Sequence, residues 1–327
     1  MKKFIAIILT LALALSMTAC GAAAPAEKTD DGSLKVAIVQ QLDHSSLDEI
    51  REAIKAQLNT LASGKNITIE IKEYNGQNDA TVLNQICTDA VADKVDMIIP
   101  IATTAAQCMV TAAEGNIPVI YAAISDPEGA GLTGIPTVTG VSDALNTPFI
   151  LDMMLAAQPD IKTVGLLYSN SEINSATPIA EAKAYLDAKG IAYVEKTGNS
   201  AGEVIAAASD LVGRVDAVFT PTDNAIMAAE AAVAETLNEA GIPHYTGADS
   251  FVASGAFATC GVNYTELGTK SADMAFDILM GGEIGEFVVM DGGIITVNTD
   301  TAAAIGVDYE VFKSMANTVN AVTTTVD

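Results

Sequence analysis

The stretch "VDAVFTPTDNAIM", residues 215 to 227, has a near copy far upstream in "VDMIIPIATTAAQ", residues 95 to 107. Both run from Val-Asp through an apolar segment to a proline, then polar residues, then the start of a helical pattern. Each is followed by an Ile-Pro pair that opens another apolar run, in "GNIPVIYAAISDP" (115–127) and "AGIPHYTGADSF" (240–251). Short apolar strands joined by longer helical stretches make βαβ units, whose parallel sheets are covered on both faces. The repeat therefore predicts an α/β protein of two similar lobes with parallel sheets. Strands are expected at 35–39, 67–74, 97–100, 118–122 and 138–141, then at 163–168, 192–196, 217–220 and 243–247. The first lobe is expected to hold 34–141 plus about 252–286, and the second about 146–248 plus 287–327. Crossovers near Ser142–Thr147, Asp249–Phe251 and after Met280 would form the hinge.

Ligands of parallel α/β sheets sit outside the carboxyl ends of the strands, where loops lead into helix N-termini. The predicted strand ends carry His44, Ser45 and Ser46, then Thr103 and Thr104, then Ser125 and Asp126. In the second half they carry Glu172 and Asn174, then Thr222, Asp223 and Asn224, then Asp249. Ser, Thr, Asp and Asn are also the favoured helix N-caps, so no single loop identifies a site. Six such loops facing each other would line one cleft. Hydroxyls and helix-start N–H groups suit a carboxylate, and Ser45, Ser46, Thr103 and Thr104 are the candidates. An acid in a donor-rich pocket suits an ammonium, with Asp126, Asp223 and Asp249 as candidates. Together they describe an amino-acid zwitterion, with Tyr121, Tyr168 or Phe251 as aromatic cover for its body.

The chain begins with Lys2 and Lys3, an apolar run from Phe4 to Leu15, and small residues ahead of Cys20. That pattern predicts a lipoprotein signal peptide over 1–19, lipidation of Cys20 and a flexible tether over 20–33. Cleavage removes two lysines and no acid, leaving 14 basic against 41 acidic residues. So acidic a protein repels nucleic acid and bare anions. Cys87, Cys108 and Cys260 lie far apart with no CxxC spacing, so no metal site is expected. They are expected as buried free thiols, with one long-range disulfide left open.

The mature chain, from about Lys35 to Tyr309, resembles the substrate-binding proteins of ABC transporters of the tryptophan/tyrosine type. The resemblance rests on "VAIVQQLDHSSLDEIREAI" (36–54), "IPVIYAAISDPEGAGL" (117–132), "VTGVSD" (138–143) and "VGLLYSNSEINS" (164–175). It continues through "SGAFATCGVNYTELGTKSADMAFDIL" (254–279). It implies a type I periplasmic-binding fold that shuts on a small solute, an aromatic amino acid such as tryptophan, tyrosine or phenylalanine. It further implies a permease and an ATPase as partners, no cofactor, and an extracytoplasmic, lipid-anchored location. Thr104 stands where many relatives carry proline, and Ser45 where the family commonly has proline or another residue. A ligand-sensing lipoprotein of the same fold, uncoupled from transport, is the alternative. An enzyme is disfavoured, since the chain has no GxSxG, no P-loop, no dinucleotide glycine pattern and only two histidines.

Overall fold

A computed structural model describes residues 33–325. The predicted signal peptide, Cys20 and all but the last residue of the tether lie outside the described residues. The strands are β1 (Leu34–Gln40), β2 (Ile69–Asn75), β3 (Met97–Ile101), β4 (Val119–Ala122) and β5 (Val138–Ser142). Then come β6 (Thr163–Tyr168), β7 (Ala192–Thr197), β8 (Ala217–Thr220), β9 (His244–Thr246) and β10 (Ala258–Gly261). Last are β11 (Val288–Val289), β12 (Ile294–Asn298) and β13 (Thr318–Val322). They form two sheets, ordered β11-β5-β4-β3-β1-β2 and β13-β12-β10-β9-β8-β6-β7. The first is parallel throughout. In the second, β12 runs antiparallel to β10, because the chain re-enters from the other lobe without a covering helix.

Buried positions explain the layers. In the Ser45–Lys65 helix, Leu47, Ile50, Ile54, Leu58 and Ala62 recur every three or four residues and are all buried. This helix lies against the Tyr264–Leu279 helix, and both cover one face of the first sheet. The contact requires Gly268: a Cβ there would stand 2.6 Å from the Ile50 carbonyl oxygen. The Ala80–Ala92 and Thr103–Ala113 helices cover the opposite face. The second sheet is sandwiched in the same way, with Phe219, Tyr245, Phe257 and Phe312 in its core.

The lobe boundaries need two corrections. Residues 258–261, expected in the first lobe, form β10 of the second sheet; β11 at 288–289, expected in the second lobe, pairs with β5 in the first. The apolar run "AFATCGV" satisfies its backbone beside β9 before the chain crosses. The second crossover accordingly falls after Gly261 rather than at Asp249–Phe251, where a short helix, Asp249–Ala253, forms instead. The third falls between β11 and β12.

Cys87 and Cys108 form a disulfide joining the Ala80–Ala92 and Thr103–Ala113 helices. The expectation of three free thiols is thus corrected for this pair. One helix turn on each of two neighbouring helices brings them together, which spacing in the chain does not reveal. Cys260 is free and buried.

Candidate ligand cleft between the lobes

The carboxyl ends of both sheets meet. Between them lies a hollow of about 30 Å³, room for roughly one water, so the lobes are shut. His44, Ser46, Thr103, Ser125, Asn174, Thr222, Asp223 and Asn224 line it, together with Asp143, Phe251, Met227 and Tyr264. Direct bonds cross the gap. Gln41 Nε2 donates to Glu172 Oε1 (3.0 Å), and the Ser125 and Thr222 hydroxyls are 2.8 Å apart. Ser46 Oγ donates to Asp249 Oδ1 (3.1 Å), and Thr177 Oγ1 donates to Asp126 Oδ2 (2.6 Å).

Not every predicted residue reaches the hollow. Ser45 is exposed at the first turn of its helix. Thr104 gives its backbone N–H to Gln41 Oε1 (3.1 Å) and faces a surface groove beside the disulfide. Asp126 clasps the rim, accepting from the Gly129 N–H as well as from Thr177. Glu172 and Asp249 stand one layer back, each holding a residue that does line the hollow: Asn224 Nδ2 donates to Glu172 Oε2 (2.8 Å), and Ser46 to Asp249. Of the aromatic candidates Phe251 lines the hollow, whereas Tyr121 is core and Tyr168 pairs with Glu195.

Asp223, just past the end of β8, is already fully engaged. Its Oδ1 accepts from the Ile226 N–H (3.0 Å) as a helix cap, while Oδ2 accepts from the Ser169 N–H and the Ser175 hydroxyl, each at 2.7 Å. The carboxylate is spent on tying together two loops, which leaves it little capacity for a ligand. Two other acceptors are bare: His44 Nδ1 and Asn174 Oδ1 are buried with no hydrogen-bond partner. His44 Nε2 faces Asn224 Oδ1 at 3.4 Å, an amide oxygen that only accepts, so the ring proton is assigned to Nε2 and Nδ1 is an acceptor.

Charge in the cleft is one-sided. No lysine or arginine lines the hollow. Burial pushes the Asp143 carboxyl up to about 6, against the Ser125 and Tyr264 hydroxyls that donate to it. Burial also raises Asp223 and Asp249. Glu172 is raised by burial and then by the neighbouring Asp223. Burial lowers His44 to about 4, outweighing the Asn224 bond and the charges of Asp48 and Asp43, so the ring is neutral. An acid-rich hollow with bare acceptors and no cation suits a ligand that brings its own positive group.

The backbone is strained at the same place. Ala102 has φ 74° and ψ 162°, and Ala123 has φ 57°. Both end first-sheet strands and line the hollow. Non-glycine residues hold such angles at a cost of about 1–3 kcal/mol each, and they cluster at binding sites. Strand-end reading missed Asp143, although it closes "VTGVSD" as an acid directly after β5 and so carried the same signal as its neighbours. It also missed Tyr264, which opens the helix after the unread strand β10, and Ala102 and Ala123, for which side-chain chemistry holds no clue.

The family model described as ABC transporter substrate binding protein matches residues 35–319. The chain belongs to the ABC transporter substrate-binding proteins. A curated tyrosine-binding protein of Clostridioides difficile (strain R20291) is 33% identical over 319 residues, covering 93% of this chain and 92% of the relative. A structure of an ABC domain in complex with L-Trp from Streptococcus pneumonia overlays with a TM-score of 0.82 at 29% identity, covering 88% and 99% of the two chains. The ligand-free, open structure of a substrate-binding protein with adhesive properties from Clostridium difficile overlays at only 0.68, despite 31% identity and coverage of 89% and 100%. The structure with bound L-Trp thus overlays better than the ligand-free, open one. The substrate-binding protein has the type I periplasmic-binding fold, is not an enzyme and works outside the cytoplasm. Among the described residues no helix is long and apolar enough to cross a membrane.

Proposed function

We propose that this substrate-binding protein captures an aromatic L-amino acid (tyrosine, tryptophan or phenylalanine) and delivers it to an ABC importer, tethered to the membrane by lipid on Cys20. The observation that carries the ligand reading is the hollow itself: bare acceptors and acids on several sides, no protein cation, and Phe251 and Tyr264 as aromatic walls. Asp143, Asn174 Oδ1 and His44 Nδ1 take the ammonium in this reading. Thr103 and the first turn of its helix take the carboxylate, where donors and the helix dipole converge. Met227 and Phe251 cover the ring. The named relatives that bind tyrosine or hold L-Trp support the aromatic class.

Binding works by population shift. A ligand that touches both lobes favours the shut form by its differential contacts. An amino acid is larger than the hollow, so it enters the open form and replaces some of the direct bonds across the gap. Calorimetry with all common L-amino acids, paired with small-angle scattering, tests this. Micromolar binding of an aromatic member with a fall in radius of gyration is expected; failure of all three aromatic amino acids removes the ligand assignment. The adhesive relative keeps a surface role without transport in view. A permease and an ATPase that pull down with the loaded protein would decide for import.

A further inference from the structure

A large cavity lies beside the cleft, where the chain crosses between the lobes. It measures about 730 Å³, within the range of small-molecule sites. Each of the three crossovers supplies a wall: Asp143 to Asn146 after β5, Gly261 and Val262 after β10, and Gly292 to Ile294 before β12. The remaining wall is the 313–318 turn of the second lobe. Asp143 and Tyr264 border this cavity and the ligand hollow alike.

From this placement we infer that the hinge cavity is a second ligand site, for a neutral hydroxyl-bearing solute of monosaccharide size, and that its occupancy favours the shut form. The ligand class follows from the walls. Gly247, Gly261, Gly292 and Gly293 line the cavity, and a Cβ on Gly293 would meet nothing within 4 Å, so backbone polar groups rather than side chains face a solute there. Hydroxyls satisfy donors and acceptors together. The charges at the wall are engaged already, Lys313 with Glu310 at 2.7 Å and Asp143 with the Ser125 hydroxyl. A neutral solute strands none of them, and the acidic surface opposes anions. Phe149 and Met315 supply an apolar side for the carbon face.

The coupling follows from position. The crossovers stand between the hollow and this cavity, so parting the lobes on the cleft side draws the walls together behind. A solute that fills the cavity binds the shut form better and must tighten the cleft's own ligand by the same factor. The coupling rests on the proposed closure, whereas occupancy of the cavity does not.

Cys260 makes the test direct, because it is the free thiol on the cavity wall. Burial raises this thiol to about 11, so labelling by methyl methanethiosulfonate is slow and is followed by mass spectrometry at mildly alkaline pH. Glycerol, erythritol and glucose are the probes. At least one should slow labelling about tenfold at millimolar concentration and tighten L-tyrosine binding several-fold, within the usual span of such couplings. Asn317→Trp, at an exposed wall position, should abolish both effects while L-tyrosine still binds. It also controls for the general compaction that polyols cause. Labelling indifferent to all three probes, effects that survive Asn317→Trp, or L-tyrosine affinity unmoved by a protecting polyol would overturn the inference. Absent L-tyrosine binding with intact polyol protection would fault the cleft reading instead.

Discussion

The chain has two histidines, and the structure uses them in opposite ways. His244 lies in β9 at the heart of the second lobe, with Nδ1 at 3.0 Å from Glu230 Oε1 and Nε2 at 2.8 Å from Thr220 Oγ1. His44 sits at a first-sheet strand end, with one partner at 3.4 Å and one nitrogen bare. The first is a polar group the fold has satisfied; the second is one the fold has left for something else. Buried polar atoms in native proteins are normally paired, so the exceptions point to function. Bare atoms occur elsewhere too, Glu230 Oε2 among them, but at His44 Nδ1 and Asn174 Oδ1 they coincide with strained alanines and with carboxyls raised by burial.

Substitution of each histidine is the sharpest way to break that comparison. His244→Ala leaves Glu230 buried without its partner and should cost about 3–5 kcal/mol, seen as a large fall in Tm with L-tyrosine affinity nearly kept in the folded fraction. His44→Ala should do the reverse, leaving Tm nearly unmoved and weakening L-tyrosine. Equal losses of stability would erase the distinction. Asp143→Asn comes next. It removes the charge proposed to face the ammonium and should weaken L-tyrosine about 100-fold by calorimetry, since bonds to charged groups are worth about 1.5–3 kcal/mol. The fold should hold, because the amide oxygen still accepts from the Ser125 and Tyr264 hydroxyls and a buried charge is lost.

Reduction of Cys87–Cys108 separates staple from site. The cysteines are 21 residues apart, and closing a loop of that size stabilises by about 3 kcal/mol through the unfolded chain. A lower denaturation midpoint with unchanged L-tyrosine affinity is expected, because the bridge borders an outer groove rather than the hollow.

The smallest effect is the pH dependence of ligand-free closure. In the shut form Glu172 is pushed from 4.5 up to about 7, facing Asp223, Asn224, Asn174 and Gln41, with His44 behind Asn224. An acid whose value rises on closing takes up a proton, so its penalty is absent at low pH and grows until pH passes about 7. His44 acts oppositely below its ordinary 6.5, since it closes only as the neutral ring, and Asp143 adds proton uptake between 3.8 and about 6. Asp223 and Asp249, also raised by burial, add in the same direction as Glu172, so the shut population should fall modestly as pH rises through 7. Scattering in that window should detect the change, and Glu172→Gln should flatten it.

How much of this was legible beforehand divides along physical lines. The paired motifs at 95–107 and 215–227 announce two α/β lobes because a buried parallel strand leaves a continuous apolar run. The strands β10 to β13 were missed because they follow the last of the paired motifs and β12 runs antiparallel. With them went the true place of the second crossover. In the site, polar residues at strand ends were found by type and position. Which of them face the hollow was not, since that depends on one helix turn at Ser45 or Thr104 and on whether a carboxylate such as Asp223 is already spent as a cap. Strain at Ala102 leaves no trace in residue type.

The account stands on a cleft that lacks a cation and takes one from its ligand. Calorimetry with L-tyrosine beside 3-(4-hydroxyphenyl)propionate, which keeps the ring and carboxylate but has no amine, tests that most directly. Micromolar L-tyrosine with no detectable binding of the amine-free compound is the predicted result. Equal affinity for both would contradict it.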